Sequence, residues 1–331
     1  MRGPRLTFEG RQFERGELSL LDCLLGQGVA VPSACRAGVC QSCLMRVVGG
    51  EVPERARQGL SATQLARRLF LACQCYPTDD VEVARPDSAL ESHAADVVAV
   101  RALSDDIREL RLRPRGPYAY HAGQFLQLRG GTPALQDAPR NYSLASVPGL
   151  DADLLLHVAR VPGGRVSGWV FDAARPGDAV VVSESRGNCF HVPGSPARDL
   201  LLIGTGSGLA PLQAIARDAL RQGHAGRVAL FHGSRLARGL YLGDELAALG
   251  AAHGNFHFQP CVSDEPATAP IFAGTPLDAA LQAHPDLGGW TVYLCGNPAM
   301  VESARLAVFL AGAGSAAIHA DPFLPTASTT T

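Results

Sequence analysis

Three cysteines crowd into "ACRAGVCQSC", residues 34–43, as Cys35-x4-Cys40-x2-Cys43, and a fourth, Cys73, stands in "LACQC" after 29 intervening residues. Thiols so spaced either pair with one another, pack as small hydrophobes or hold a metal. The chain has nine cysteines in 331 residues, and its amino-terminal "MRGPRLTFEGRQFERGE" lacks an apolar core of signal-peptide length. No later run reaches the ~20 apolar residues that span a bilayer. The expectation is a cytoplasmic protein, and a reducing compartment does not support a disulfide framework. The thiols therefore read as ligands or core residues, and position has to separate the two.

Three ligands on one tight loop and a fourth from a distant segment is the spacing of a plant-type 2Fe–2S site. Such a loop aims backbone N–H groups at the cluster sulfurs, and small residues, here Ala37, Gly38 and Ser42, let the backbone come close. Zinc is the main rival, but structural zinc sites usually come as paired Cys-x2-4-Cys knuckles, a form that only Cys40-x2-Cys43 has. Haem attachment would need a histidine where Leu44 stands. Cys75 lies close enough to compete with Cys73 for the fourth position, whereas Cys23 reads as packing on a helix. Around the thiols, "RLTFEG" and "RQFERG" predict two short strands. Leu20, Leu21, Leu24 and Leu25 recur at helical spacing, which implies a small α+β unit.

Residues 1–88 resemble the β-grasp ferredoxin domain, on the strength of "ACRAGVCQSC" and "LACQ". The resemblance implies that Cys35 and Cys40 hold one iron and that Cys43 and Cys73 hold the other. It thereby selects Cys73 over Cys75.

A linker rich in proline, small and polar residues, "VARPDSALESHAADVV", marks a boundary near residues 86–95. From 95 to 195 short strands alternate with turn signals, which predicts an antiparallel barrel or sandwich. Within it "RNYSLAS" sets Arg140 and Tyr142 on one face of an extended segment and Ser143 on the other. Further on, "VPGGRVSGW" places Gly163 and Gly164 before Ser167 at a helix start, an arrangement that serves either as an anion-binding turn or as a hairpin turn with a capping serine. Together and in this order the two stretches resemble the FAD domain of the ferredoxin-NADP reductase superfamily. That resemblance implies that Arg140 meets the FAD phosphates, Tyr142 stacks on the flavin and Ser143 lies near its reactive nitrogen. Gly163, Gly164 and Ser167 would hold the pyrophosphate. One departure is "RGNCF", where many relatives have Gly-Pro-x-Gly, so Cys189 and Phe190 have no assigned role.

Residues 196–325 read as alternating strands and helices, hence a parallel sheet covered on both faces. "DLLLIGTGSGLAP" is an apolar strand running into a glycine turn and a helix, a site for nucleotide phosphates. Gly204, Gly206 and Gly208 simply alternate, so this is not the G-x-G-x-x-G fingerprint, and the lysine of a P-loop is absent. The stretch from Gly204 and Thr205 to Pro211, with Cys295, Gly296 and Pro298 further on, resembles the pyridine-nucleotide domain of the same superfamily, in which the cysteine sits beside the nicotinamide. The terminal "IHADPFLP" resembles the end of oxygenase-type reductases, where an acidic residue and an aromatic lie by the flavin, here Asp321 and Phe323. Arg235, after the second strand, keeps NADPH possible, while "GSR" and "LYL" resemble NADH-using reductases; NADH is favoured.

A net charge of −2 and a hydrophobic share of 47% give no reason to expect a nucleic-acid or membrane partner. The expected protein is a multidomain oxidoreductase: an α+β β-grasp ferredoxin domain, an antiparallel β-barrel FAD domain and an α/β Rossmann-like NAD(P) domain. It would pass electrons from NADH through FAD and a 2Fe–2S cluster to a protein acceptor, an oxygenase component or a ferredoxin. The alternatives are a reductase acting directly on a quinone, ferric chelate or sugar-nucleotide intermediate, and a nucleotide-binding redox sensor.

Overall fold

Strands β1 (Leu6–Phe8) and β2 (Arg11–Phe13) form a hairpin. Helix α1 (Leu20–Gly26) follows, started by the Ser19 hydroxyl, which accepts the Asp22 N–H at 3.1 Å. The computed structural model describes residues 5–13, 18–33, 35–38, 41–60, 62–86, 92–130, 139–193 and 195–323. Its first compact unit, Met1–Leu90, continues with β3 (Leu44–Gly49), α2 (Ala62–Ala66), β4 (Leu69–Leu71) and β5 (Val81–Ala84). The strands lie in the order β2-β1-β5-β3-β4; β1 and β5 run parallel and the other neighbours antiparallel. Leu20, Leu21 and Leu24 share one core with Phe70, Met45 and Val83 of the sheet. The sheet grips the helix, which is the β-grasp arrangement.

The second unit, Glu91–Thr331, opens with a six-stranded antiparallel sheet: β6 (Ser92–Ala102), β7 (Ile107–Pro114), β8 (Phe125–Gly130), β9 (Arg140–Ser143), β10 (Leu154–Ala159) and β11 (Ala179–Ser183). Helix α3 (Arg165–Asp172) lies between the last two strands. The order is β10-β7-β6-β11-β8-β9, and a bridge between Leu144 and Leu156 joins its two edges, so the sheet nearly closes into a barrel. Near-closure removes most of the exposed strand edge. Leu110, Leu112, Leu126, Leu128, Leu156 and Val182 fill the interior.

The same unit continues with β12 (Leu200–Thr205), α4 (Leu209–Arg221), β13 (Val228–Ser234), α5 (Gly243–Ala252), β14 (Phe256–Val262), β15 (Phe272–Ala273), α6 (Pro276–Ala283), β16 (Thr291–Gly296), α7 (Pro298–Leu310) and β17 (Ile318–Pro322). All six strands are parallel, in the order β15-β14-β13-β12-β16-β17. Leu200 and Leu202 enter one core and Leu201 and Ile203 another, as a strand buried on both faces requires. The chain leaves β12 toward β13 on one side and returns to β16 on the other. Ligands of such sheets bind at this switch point, outside the carboxyl ends of the strands.

Sequence reasoning passed over β14, because His257, Gln259 and Pro260 interrupt its apolar pattern. It also read Ile318–Pro322 only as a chain terminus, whereas this segment is a sheet strand paired with β16. No helix among the described residues is long and apolar enough to cross a membrane.

Candidate functional site

Cys43 immediately precedes β3, and Cys73 follows β4 in a short 3-10 turn. Leu44 pairs with Leu71 in the ladder, and the Ala72 N–H donates to the Cys43 carbonyl at 3.1 Å. Two thiols remote in sequence are thereby placed at neighbouring strand ends. Cys35 is exposed and its sulfur accepts the Ala37 N–H at 3.4 Å. The Gln74 amide donates to the Cys73 sulfur at 3.7 Å and to the Arg36 carbonyl at 3.0 Å, which ties the loop to the fourth segment. Arg36, Gly38 and Gln41 all have positive φ, at 53°, 80° and 57°, a backbone region that glycine adopts freely and other residues rarely.

Cys75 is fully buried, and its carbonyl accepts the Leu20 N–H at 2.8 Å, facing α1 and the core. Cys73 and Cys43 are buried in the same core, so what sets Cys73 apart is the hydrogen bond to its sulfur from Gln74, which also reaches the loop at Arg36. Cys40 lies outside the described residues. No disulfide joins the described cysteines. The soft sulfurs of Cys35 and Cys73, each already accepting an N–H, fit an iron–sulfur cluster.

In the barrel, β9 pairs with β8 so that Tyr142 stands opposite Leu126 and Ser143 opposite Phe125. Ser143 is buried, and its hydroxyl donates to Asp321 Oδ2 at 3.3 Å. Asp321 comes from β17, whose register sets it beside Cys295 of β16, and the Phe323 N–H donates to the Gly296 carbonyl at 2.8 Å. Ser143, Cys295, Asp321 and Phe323 are thus brought together by two different sheets. Burial pushes the Asp321 carboxyl up to about 6, against the hydrogen bond from Ser143, which lowers it. Burial also pushes the Tyr142 hydroxyl up to about 12. Arg140, half-buried, donates through Nη1 to the Pro139 carbonyl at 2.9 Å.

Ser167 is not the cap of α3; that position is Gly164, and Ser167 lies inside the helix. Its hydroxyl accepts the Val161 N–H at 3.2 Å and so closes the Gly163–Gly164 turn from below. Gly163 has φ +70°, and a Cβ on Gly164 would strike the Ser167 hydroxyl. The turn is held by side-chain chemistry at the start of α3, the end of a helix that favours an anion.

At the switch point Gly206–Gly208 form one 3-10 turn between β12 and α4. A Cβ on Gly204 would lie 2.5 Å from Leu212 Cδ1, and one on Gly208 would overlap the Cys295 carbonyl. Gly296 has φ +121°, and its Cβ would lie 2.6 Å from the Thr205 carbonyl oxygen. The Asn297 N–H donates to Thr205 Oγ1 at 3.1 Å. Asn297 then caps α7, with Pro298 in its first turn. Gly204 and Gly208 therefore serve close approach between the ends of β12 and β16, while Gly206, with φ +54° and open space around it, supplies the turn into α4.

Cys189 is one of the two residues, with Phe190, to which the sequence assigns no role. It is buried, and its sulfur lies 3.5 Å from that of Cys295. Next to it, Phe190 stacks on His121 with ring centroids 4.4 Å apart. Only the departure from Gly-Pro-x-Gly pointed here.

Three family models match the chain: a 2Fe-2S iron-sulfur cluster binding domain over residues 7–78, an oxidoreductase FAD-binding domain over 94–191 and an oxidoreductase NAD-binding domain over 202–306. The reductase subunit of an aromatic O-demethylase from an Amycolatopsis species is 38% identical over 319 residues, covering 93% of this chain and 94% of that one. The ferredoxin–NAD(P)+ reductase component of a naphthalene 1,2-dioxygenase system from Pseudomonas putida is 31% identical over 313 residues, covering 93% and 94%. Among solved structures, the Amycolatopsis cytochrome P450 reductase GcoB superposes with a TM-score of 0.69 at 35% identity, covering 97% of this chain and 99% of that one.

Proposed function

The chain belongs to the family of reductases that join an iron–sulfur domain to FAD- and NAD-binding oxidoreductase domains, and we propose that it passes electrons from NADH through FAD and the cluster to a protein acceptor. The acceptor class is an oxygenase component or a ferredoxin, as the names of the relatives suggest. Within the chain the domains run over residues 1–88, 95–195 and 196–325, and the protein works in the cytoplasm. The observation that carries this reading is the meeting of Ser143 from the barrel with Asp321 and Cys295 from the parallel sheet.

When bound, the groups supply the redox chemistry: nicotinamide gives a hydride, flavin accepts two electrons and releases them singly, and the cluster carries one. This chain's residues bind and orient. Cys35, Cys40, Cys43 and Cys73 hold the cluster. Arg140 offers its charge to the FAD phosphates, Tyr142 its ring to the flavin, and Gly163 and Gly164 the start of α3 to the pyrophosphate, with Ser167 bracing the turn. Ser143 and Asp321 set a hydroxyl and a titratable carboxyl at the point where the sheets meet, and Phe323 follows them. Gly204, Thr205, Gly206 and Gly208 present the start of α4 to the coenzyme phosphates. Cys295, Gly296 and Pro298 form the opposite wall.

The choice of NADH is supported by Arg235, whose Nε donates to Asp264 Oδ2 at 2.6 Å. The cation suited to a 2′-phosphate already has a carboxylate partner.

The test is the reconstituted protein, with cluster and FAD verified by absorbance, assayed with NADH against cytochrome c and against ferricyanide. Cys73→Ser is expected to abolish cytochrome c reduction and to spare ferricyanide reduction. Equal rates with cytochrome c before and after the substitution would refute an exit through the cluster.

A further inference from the structure

Beneath the glycine turn after β12 lies a buried polar chain with members from both sheets of the second unit. The carbonyl of Gly206, a residue with φ +54°, accepts the Leu209 N–H and lies 3.0 Å from His232 Nε2. It also accepts the Tyr241 hydroxyl at 3.4 Å, and that hydroxyl lies 3.2 Å from His157 Nδ1. His232 is wholly buried, Tyr241 is 4% exposed and His157 is 5% exposed. Both imidazoles meet the Tyr241 ring edge-on, each with centroids 5.3 Å away. His157 is on β10 of the barrel and His232 on β13 of the parallel sheet.

The proton positions follow from the acceptor. A carbonyl only accepts, so His232 carries its proton on Nε2, and its Nδ1 has no hydrogen-bond partner among the described residues. Tyr241 has one proton. The arrangement that satisfies every contact is His157 Nδ1–H donating to the Tyr241 oxygen, and the Tyr241 O–H donating to Gly206. Burial pushes His157 down to about 3 and His232 to about 4, so both are neutral at physiological pH.

A carbonyl drawn inward has a directional consequence. Across a trans peptide the Ser207 N–H points opposite to the Gly206 carbonyl. Pinning the carbonyl toward the core therefore aims the Ser207 N–H outward, beside the positive end of α4, toward an anion. We infer that His232 and Tyr241 are positioning residues that hold the Gly204–Gly208 turn in its coenzyme-receiving form, and that His157 makes this turn answer to the barrel. The inference rests on the reading of this turn as the coenzyme phosphate site.

The roles separate in the holoenzyme by steady-state NADH kinetics with ferricyanide, alongside FAD content and thermal midpoint. Tyr241→Phe keeps the ring and removes only the hydroxyl; it should raise the KM for NADH on the order of 5-fold with kcat within about twofold. His232→Met should raise KM by about 10-fold, and His232→Gln, which restores an N–H donor, should recover most of that loss. His157→Phe leaves the Tyr241 hydroxyl on Gly206 and should raise KM less than Tyr241→Phe does, and adding it to Tyr241→Phe should change nothing further, because His157 reaches the turn only through that hydroxyl. A KM within twofold of the parent in both Tyr241→Phe and His232→Met, or a kcat loss at constant KM, overturns the inference. A parent holoenzyme that does not oxidise NADH, or whose KM is indifferent to Gly208→Ala, overturns the coenzyme-site reading itself and the inference with it.

Discussion

The sulfur of Cys189 lies 3.5 Å from the sulfur of Cys295, although the two are 106 positions apart in the chain, and both lie in one buried core. Burial, followed by the contact with Cys189, holds the Cys295 thiol well above its ordinary range, so it stays protonated at working pH. Cys295→Ala should slow anaerobic flavin reduction by NADH by about 10-fold or more, followed by stopped-flow absorbance. Cys189→Ala removes only the support and should cost about threefold. A larger loss from Cys189→Ala than from Cys295→Ala would reverse the two roles.

Asp321 should leave a signature in both rate and stability. Its folded pKa, about 6, lies above the ordinary 3.8, so the folded state binds the proton more tightly than the unfolded chain does. Its contribution to stability is therefore present below about 4 and is lost as pH rises through 6. Asp321→Asn should raise the thermal midpoint at pH 8, by an amount equivalent to roughly 3 kcal/mol at most, and leave it unchanged at pH 4. The same substitution should erase an inflection near pH 6 in NADH-dependent dye reduction. A profile that keeps this inflection would remove Asp321 from the reaction.

Buried imidazoles act in the opposite sense. Burial pushes His157 down to about 3 and His232 and His319 to about 4, below the ordinary 6.5. As pH falls below 6.5 the unfolded chain takes up protons that the folded chain refuses, and each group then loses about 1.4 kcal/mol per pH unit until its folded pKa is reached. The thermal midpoint should drop steeply between pH 7 and pH 5. His319 stacks on Tyr293 at 5.1 Å, so His319→Phe keeps the stack and should narrow the drop. An unchanged drop would mean that other groups govern acid unfolding.

Gly208→Ala should disable the coenzyme turn without emptying the flavin site. The added methyl would press on the Cys295 carbonyl, and either the turn or β16 has to shift. NADH kcat/KM should fall by about 100-fold, with FAD content near normal by absorbance. Loss of FAD in step with activity would point to unfolding instead.

The two neighbouring thiols should part company. Cys73→Ser is expected to lose the iron–sulfur absorbance and keep the fold. Cys75→Ser puts a hydroxyl in a fully buried position and should lower the thermal midpoint while retaining the cluster. Retention of a full cluster by Cys73→Ser, with loss in Cys75→Ser, would transfer the ligand to Cys75.

What was legible in the sequence was whatever chemistry must write locally. Thiols that converge on one loop have to be spaced as Cys35, Cys40 and Cys43 are, and a backbone that admits a phosphate needs glycines where Gly204 to Gly208 stand. Ser143 and Asp321, 178 residues apart, were visible one at a time through flanking motifs, but their hydrogen bond belongs to the packing of two sheets. His157, Tyr241 and His232 carried no signal, because a single buried histidine or tyrosine looks like any other core residue until the carbonyl it serves is in view. Strand β14 was hidden by its polar positions, since a segment near the sheet edge can expose alternate side chains.

The hydrogen bond from the Ala72 N–H to the Cys43 carbonyl carries a last consequence, which concerns assembly. Cys43 and Cys73 become neighbours only after β3 and β4 have paired, so a chain still searching for its fold offers no four-thiol cradle. Pairing of β3 with β4 and uptake of iron and sulfide are therefore coupled, and each is expected to favour the other.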